Sequence, residues 1–521
     1  MQTLRKENTK SLSRRDFMRG TAGVGVTAAL AGSAVARAEQ PVKGGHLVLG
    51  IGGGATTDSY DPATYTGQVP INYGRLWGEN LIDTDETGNG LMLVLAESYE
   101  AIEGTRVWRF TVRKGIEFHN GQPLTADDVV KSLQRHSDEN SRSPAFGVLR
   151  TIASIKQESS HSLIITLQDG NADLPYLMTE YHLIIQPGGG YANPAAGIGT
   201  GPYRVEVAEH GVRHLYRKFP RYWRDEVGHV DSIELLVIND GTARASALQS
   251  GRVHMINLVD PKTAKLLGRH PRVSIENSIG RGHYEFYMRT DTAPFDNPDV
   301  RLALKYAIDR EEMVKRILHG YGSIGNDFPI NAAYPLFPGD IPQRHYDPEK
   351  AAYHMKKSGH TGPILLRTSE AAFSGAVDAA TMFQQHALRA GIELQIRREP
   401  ADGFFNNVWN VEPFVASYWG GRPVQDLMYS VGYKSDADWN ETRWARPEFD
   451  RMLKQARSEL DEEKRKAIYR DMAMMVRDDG GVIIPMFSHF IDAVSTNVNG
   501  YVRDPAMELS NGLAPIRCWL S

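Results

Sequence analysis

The chain has 521 residues, with 59 Lys and Arg against 63 Asp and Glu, and its net charge is −4. This balance argues against a nucleic-acid binder, and a single cysteine excludes an internal disulfide. A chain of this length usually divides its hydrophobic core, so we expect two or three domains.

The first predicted element is an export signal over residues 1–38. Arg14 and Arg15 stand before Phe17, and an apolar run that is short and rich in glycine follows to Ala36. A membrane span needs about 20 mainly apolar residues, so the segment resembles a twin-arginine signal more closely than a transmembrane helix. Cleavage is expected before Glu39, which leaves 52 Lys and Arg against 61 Asp and Glu, a net charge of −9. The twin-arginine translocase is the implied export partner, and a soluble periplasmic product is expected.

The next stretch, residues 44–62, contains a G-x-G-x-x-A pattern after a short apolar run that predicts a strand. In a dinucleotide site such glycines open a helix whose N-terminus holds the pyrophosphate. Pro62 and Pro70 disfavour a helix here, so we predict an extended loop and reject the nucleotide interpretation.

Three later stretches carry helix signals. Thr125 with Asp128 three residues on predicts a capped helix start. Asn297 before a proline, followed by apolar residues at helical spacing as far as Gly320, predicts a second helix. The stretch from Arg465 to Gly480 predicts a third, which leads directly into a strand.

Five blocks of sequence carry a family resemblance. The first reads SYEAIEGTRVWRFTVRKGIEFHNGQPLTADDVVKSLQRH, and the blocks occupy residues 98–136, 199–223, 247–259, 297–322 and 448–487. In content and order they resemble family 5 of the bacterial extracellular solute-binding proteins, the receptors of dipeptide, oligopeptide and nickel ABC transporters. The blocks extend over most of the mature chain.

The resemblance implies an α/β fold: a two-lobed periplasmic binding protein of type II, large subgroup, with an extra subdomain inserted in lobe I. Lobe I is expected at 42–275 and 486–521, with the subdomain at about 64–195, and lobe II at 276–485. A ligand would lie between the lobes, and hinge closure would bury it. Glycines 50–54 would then bring the backbone close to the ligand or to the other lobe.

The most informative segment for the ligand is SYWGGRPVQDLMY, residues 417–429. In peptide-binding members the corresponding Trp-x-Gly loop carries an aspartate that pairs with the peptide's amino terminus, whereas this chain has Arg422. A guanidinium suits a carboxylate or phosphate and repels an ammonium group, so we predict a ligand with an anionic group. Two alternatives stay open: Arg422 pairs with Asp426 and contacts no ligand, or Asp426 binds an amine from a displaced position.

Aromatic residues are concentrated in the same predicted cleft loops. We expect apolar walls and one amide from the set Tyr60, Tyr65, Tyr418, Trp419, Trp439, Trp444 and Asn440.

Catalytic and metal-binding signatures are missing from the sequence. It has no G-x-S-x-G, no H-E-x-x-H and no His or Cys pairs at zinc-ligand spacing. We therefore expect a monomeric binding protein without a cofactor or resident metal, working with inner-membrane permease and ATPase subunits. The expected solute is a small peptide or another polar, anion-bearing molecule. An opine, a sugar-derived solute or a metal chelate is the alternative, and a secreted hydrolase is a distant one.

Overall fold

The computed structural model describes residues 40–521 apart from 86, 87, 89, 139 and 142, and only the backbone of 148 and 406. Residues 41–521 form one compact unit. The predicted export signal with Arg14 and Arg15 lies outside the described residues. Among the helices that are described, none combines the length and the apolar character needed to span a membrane.

Strands and helices alternate along most of the chain. The strands are β1 (His46–Ile51), β2 (Ile82–Thr84), β3 (Leu91–Leu93), β4 (Ala96–Glu103), β5 (Val107–Val112), β6 (Ile152–Ser159), β7 (Ser162–Leu167), β8 (Tyr203–Glu209), β9 (Arg213–Lys218), β10 (Ser232–Val237), β11 (Met255–Ile256), β12 (Val273–Met288), β13 (Gly322–Ile324), β14 (Ile364–Thr368), β15 (Leu394–Arg398), β16 (Phe414–Trp419), β17 (Val482–Ser495), β18 (Val498–Asn499) and β19 (Trp519–Leu520). The helices are α1 (Gln68–Trp77), α2 (Ala126–Ser137), α3 (Phe146–Leu149), α4 (Leu174–Leu177), α5 (Gly241–Gln249), α6 (Pro261–Leu267), α7 (Pro298–Tyr306), α8 (Arg310–Arg316), α9 (Pro348–Ser358), α10 (Ala376–Leu388), α11 (Phe404–Asn407), α12 (Gln425–Gly432), α13 (Pro447–Ser458), α14 (Glu462–Asp479) and α15 (Ala514–Arg517). Two 3-10 turns, Pro62–Thr64 and Pro187–Gly190, and a left-handed turn at Glu508–Asn511 complete the set.

The main sheet has the strand order β15-β14-β16-β12-β17-β11-β1-β10-β9-β8, and β13 pairs with β17. Strands β12 and β17 are long, antiparallel to each other, and lie between the two halves of the sheet. We call the half with β1 and β8–β11, and the elements packed on it, the first lobe. The half with β14–β16 and its helices is the second lobe.

The N-terminal strand forms as predicted, but the segment after it is only partly a loop. β1 lies parallel to β10 and β11, and the extended chain runs to Gly67, where α1 begins. Pro70 is tolerated in the first turn of α1 because the N–H groups there have no helical acceptor. A Cβ at Gly52 would lie 2.5 Å from the Arg244 guanidinium, so the close approach at this glycine is to the first lobe itself and leaves no space for a phosphate.

A separate four-stranded sheet of order β4-β5-β7-β6 packs with α2 around its own hydrophobic cluster. The predicted start of α2 is confirmed: the backbone N–H and the hydroxyl of Thr125 both donate to the Asp128 carboxylate. Arg135 of the same helix forms an ion pair with Asp61, so the loop before α1 is tied to this sheet.

In the second lobe, the single helix predicted after Asn297 is two helices, α7 and α8. The Asn297 side chain caps α7, and Asp309 caps α8 by accepting from the Glu312 N–H at 2.9 Å. A short polar side chain that accepts from a nearby N–H starts a new helix and ends the old one. The prediction of α14 followed directly by β17 is confirmed.

Candidate functional site

Two neighbouring cavities lie where the lobes face each other. The larger has a volume of about 910 Å³ and the smaller about 170 Å³. Both are lined by Glu180 and Tyr181 from the first lobe and by the loop Gly421-Arg422-Pro423 from the second. The loop that follows β16 therefore separates two parts of one interlobe cleft.

The glycines before Arg422 allow this loop to lie against a crossing strand. A Cβ at Gly421 would lie 2.4 Å from the Cβ of Arg281 on β12, closer than side-chain atoms approach. The backbone N–H of Arg422 donates to the Tyr334 hydroxyl at 3.2 Å. The Trp-Gly-Gly sequence thus fixes the position of the Arg422 backbone, from which the side chain extends.

Arg422 lines both cavities and has no acidic partner among the described residues. Its Nη1 donates to the carbonyl oxygens of Gly420 and Gly421 at 3.0 and 3.1 Å, and its Cζ lies 5.6 Å from the centre of the Trp419 ring. Burial lowers the pKa of Arg422, although a guanidinium remains charged in proteins. A positive charge therefore faces the cleft with only neutral acceptors nearby.

Asp426 also lines the larger cavity, but the alternative pairing with Arg422 is not formed. The Asp426 carboxylate accepts from Arg457 Nε at 2.6 Å, which joins α12 to α13. Burial raises the pKa of Asp426, and the charge of Arg457 opposes that shift.

A second arginine, Arg281, lines the smaller cavity from β12. The pairing of β12 with β17 shifts between Ile279 and His283, and this bulge contains Gly280, Arg281 and Gly282. Arg281 is only 6% exposed, and it donates to the carbonyl oxygens of Ala333 at 2.7 Å and Gly88 at 2.8 Å. In the described part of the chain it forms no ion pair.

Two of the predicted aromatic residues are close to the cleft. Trp439 lines the larger cavity, is 48% exposed, and lies 6.0 Å from Trp419, ring centre to ring centre. Trp419 is buried beneath Arg422 and donates its indole N–H to Glu441 at 2.6 Å. Tyr418, the next residue along the same strand, is exposed beside Phe405 and lines neither cavity.

The other predicted site residues lie in hydrophobic cores or hold loops. Tyr60 and Tyr65 are buried in the first lobe, and the Tyr60 hydroxyl lies 2.7 Å from that of Tyr216. Asn440 is buried and donates to the Trp444 carbonyl at 2.7 Å, while Trp444 itself is core. None of these four residues lines either cavity.

Below Trp419 lies a buried group of acidic residues. Glu285 of β12 lies 3.5 Å from His283 and next to Glu441, which also accepts from Trp409. Burial raises the pKa of Glu285 to about 7 and also raises that of Glu441, whereas it lowers the pKa of His283 to about 3. At neutral pH the group therefore holds less charge than its residue types imply.

The left-handed turn forms part of the wall of the smaller cavity. Residues 509–512 all have positive φ, although three of them are not glycine, and each such residue costs about 1–2 kcal/mol. The Asp492 carboxylate accepts from the Leu509 N–H at 2.6 Å, and the Asn511 amide donates to the Thr84 hydroxyl at 3.3 Å. Backbone strain of this kind often occurs beside a binding site.

Sequence reasoning missed Arg281, Glu180, Tyr181 and Asn511 as cleft residues. The available signal was an arginine between two glycines, a pattern that within a strand is typical of a bulge that redirects a side chain. Away from the cleft, Asp309, Glu312 and His386 form a described cluster of potential metal ligands. Their atoms already cap α8 and join His386 to Glu312 at 3.0 Å, so the cluster has a structural role.

Comparisons with known proteins agree with this architecture. The family described as bacterial extracellular solute-binding proteins, family 5 Middle, matches residues 90–441. The glutathione-binding protein GsiB of Pectobacterium atrosepticum is 24% identical over 514 residues, covering 92% of this chain and 95% of that protein. HbpA2 from Haemophilus parasuis has a TM-score of 0.82 at 19% identity, covering 92% of this chain and 100% of that one. CtaP from Listeria monocytogenes, an ABC transporter substrate-binding protein, has a TM-score of 0.78 at 18% identity, covering 92% and 99%.

The predicted family and the two-lobed α/β fold are confirmed. The relatives are binding proteins of transport systems and not enzymes. The chain belongs to family 5 of the bacterial extracellular solute-binding proteins, and it acts as the solute-binding component of an ABC importer.

Proposed function

We propose that this protein captures a small peptide or another polar solute through an anionic group that contacts Arg422 in the interlobe cleft. The observation that carries the proposal is a partly buried guanidinium that faces both cavities without an acidic partner among the described residues. A guanidinium that is partly withdrawn from water gains most from a partner of opposite charge that also accepts its hydrogen bonds. A carboxylate on the solute supplies that partner.

The larger cavity fits the body of such a solute. Its volume of about 910 Å³ lies in the usual range for small-molecule sites, and Leu177, Val431 and Trp439 give it apolar surface. Asp426 and Asp438 line the same cavity and can accept hydrogen bonds from amide or ammonium groups. A short peptide offers this combination of groups.

Glutathione is the first probe because a curated relative is named a glutathione-binding protein. It is a small peptide with two carboxylates and an ammonium group, which suits a cavity lined by both Arg422 and acidic residues such as Asp426 and Asp438. An opine, a sugar-derived solute or a metal chelate is the second candidate, and the same screen includes these classes.

For the domain limits, we propose lobe I at 42–275 and 486–521, with the inserted subdomain at about 64–195, and lobe II at 276–485. Two observations support this placement. β12 and β17 contain the proposed crossing points, and the sheet formed by β4–β7 has a hydrophobic cluster of its own.

We also propose that the protein is a periplasmic monomer exported by the twin-arginine translocase and delivers its solute to inner-membrane permease and ATPase subunits. The support is the Ser-Arg-Arg-x-Phe order at residues 13–17, ahead of a short apolar run. Changing Arg14 and Arg15 together to Lys should leave the precursor in the cytoplasm. Normal periplasmic accumulation of that double variant, followed by cell fractionation, would refute this route.

The proposed ligand class is tested by changing the ligand and leaving the protein unchanged. Thermal-shift screening of the purified protein against glutathione, other short peptides, opines and oligosaccharides should select anionic compounds, and a ligand at 100 times its Kd should add about 2.7 kcal/mol of stability. For the best compound, a derivative with its carboxylates amidated should bind at least tenfold more weakly by calorimetry. Equal affinity of the acid and its amide contradicts the anionic assignment.

A further inference from the structure

The smaller cavity has features that the larger one lacks. Arg281 and Arg422 reach it from different elements, the first from the crossing strand β12 and the second from the loop after β16. Neither forms an ion pair with a described carboxylate. Two guanidinium groups of like charge therefore face one small volume, an arrangement that an anion between them would stabilise.

The acidic and basic neighbours of this cavity are already engaged. Arg75 forms a buried ion pair with Asp83 at 2.8 Å, and Glu180 lies 2.7 Å from His182. Asp504, which lies near Arg281, accepts from the Thr84 hydroxyl at 3.2 Å. Burial lowers the pKa of Arg281, and the negative charge of Asp504 opposes that shift without forming an ion pair. Among the described cations that line this cavity, Arg281 and Arg422 are therefore the two without an ion pair.

The donors of Arg281 are only partly used. Its hydrogen bonds to Ala333 and Gly88 come from Nε and Nη2, and a guanidinium carries five N–H groups. Nη1 makes no hydrogen bond to a described residue, and it belongs to a side chain that lines the cavity. A planar oxyanion matches the spacing of such donors better than a single neutral acceptor does.

Size restricts what can enter this space. A volume of about 170 Å³ is less than a fifth of that of the larger cavity and is well above the minimum of about 10–15 Å³ that one water molecule needs. It accommodates a carboxylate, sulfonate or phosphate group with a few attached atoms, and the rest of a solute must lie in the larger cavity.

We propose that the smaller cavity is an oxyanion subsite in which Arg281 and Arg422 clamp the anionic end of the solute. The inference rests on the proposed function and deepens it, because it adds a second, deeper contact from a crossing strand. It also gives the solute a direction: the anionic end lies between the two arginines, and the body extends past the Arg422 loop toward Trp439. Arg281 is a ligand-binding residue in this arrangement.

The test uses sulfate and acetate as probes, so it does not depend on identifying the solute. The unfolding midpoint of the full protein is followed during titration with each sodium salt, at constant ionic strength set with chloride. A saturable rise is expected for at least one of the two anions. Arg281→Gln and Arg422→Gln should each weaken that binding at least tenfold, whereas Arg397→Gln, which removes an exposed charge on β15 that lines neither cavity, should bind as the unchanged protein does.

The outcomes separate this inference from the proposed function. Loss of anion binding in Arg422→Gln but not in Arg281→Gln overturns the clamp and leaves the proposed function standing. An unfolding midpoint that rises with anion concentration without saturating reflects general exclusion of the salt from the protein surface, and it also overturns the clamp. The proposed function is tested separately by the solute screen. Where Arg281→Gln fails to fold, Arg281→Lys takes its place: it keeps the charge but not the planar fork, and unchanged affinity in that variant overturns the inference.

Discussion

Two regions of the molecule bury arginines in opposite ways. In the second lobe, Arg310 and Arg344 both contact Asp327, at 2.7 and 2.6 Å, and the Ile484 N–H donates to the same carboxylate. In the cleft, Arg281 and Arg422 meet only backbone carbonyls and aromatic rings among the described residues. The first arrangement is complete within the protein, and we propose that a ligand completes the second.

The comparison matters because acidic and guanidinium groups respond differently to burial. Among the described residues the ionisable neighbour of Glu285 that could carry a positive charge is His283, whose pKa is lowered to about 3, and burial raises the pKa of Glu285 to about 7, so Glu285 can take up a proton and lose its charge. Arginine cannot lose its charge in this way. A buried arginine without an acidic partner is therefore a stronger indication of an anionic ligand than a buried glutamate is of a cationic one.

The largest effect is expected where the internal pairing is broken. Burial by itself raises the pKa of Asp327, but the positive charges of Arg310 and Arg344 lower it by a larger amount. The net shift of the pKa is therefore downward, and the carboxylate is charged. Asp327→Asn should reduce the free energy of unfolding by about 3–5 kcal/mol, because it leaves the buried Arg310 without an acidic partner among the described residues and leaves Arg344 with Asp478 alone. Urea denaturation measures the change. Asp340→Asn, at an exposed ion pair with Arg470, is the control and should change stability little, whereas equal losses in the two variants contradict the comparison.

The next effect concerns binding and tests the cleft side of the comparison. Arg422→Ala should weaken affinity for the best anionic ligand at least tenfold, since removing one member of a buried charge pair costs about 2–5 kcal/mol. Arg422→Lys should restore only part of the affinity, because an ammonium group lacks the planar fork. Calorimetric titration of both variants gives the answer, and unchanged affinity in Arg422→Ala removes the main argument for an anionic solute.

A pH-dependent effect should follow from Glu285. Its pKa is higher in the folded protein than in the unfolded chain, so its contribution to stability is complete below about pH 4.5 and is lost as the pH rises through about 7. The glutamine of Glu285→Gln cannot ionise. In this variant the free energy of unfolding should lack the decline due to Glu285, which is at most about 1.4 kcal/mol per pH unit within that window. In addition to burial, Glu285 raises the pKa of Glu441 and of Tyr433, so the difference between the two stability curves belongs to this interacting group, which includes the neighbouring His283. Parallel stability curves for the two proteins between pH 4.5 and 8 would disprove the assignment.

The smallest effect is expected at the platform beneath Arg422. Trp419→Phe keeps an aromatic face but removes the N–H that donates to Glu441, and a lost hydrogen bond of this kind costs about 1–3 kcal/mol. Stability should fall within that range, and affinity should fall only severalfold because Arg422 still stacks on a ring. A tenfold or larger loss of affinity would indicate that Trp419 itself contacts the ligand.

Local signals in the sequence predicted much of the fold. The cap at Thr125 and the passage from α14 into β17 were correct because neighbouring residues determine them. The break before α8 was missed because Asp309 competes with an apolar periodicity that continues through it. Pro70 was interpreted as a helix breaker, but in a first turn it is compatible with a helix.

The site was harder to predict because its partners are distant in sequence. The Arg422 loop could be identified from one short segment, but the partner of Asp426 is Arg457, 31 residues away. Tyr60 and Tyr65 have the composition of cleft residues, but the fold places them in the core of the first lobe. Arg281 reaches the cleft because a bulge interrupts the regular pairing of β12 with β17. The alternation of apolar and polar residues along a strand does not reveal such a bulge.

The bulge beside Arg281 also has a mechanical consequence. Between Ile279 and His283 the ladder that joins β12 to β17 is interrupted, so regular pairing of the crossing strands is lost at this point. In the proposed clamp, an anion held by Arg281 and Arg422 adds contacts between this interruption and the loop after β16. We therefore expect the two lobes to twist less against each other with the anion bound than without it.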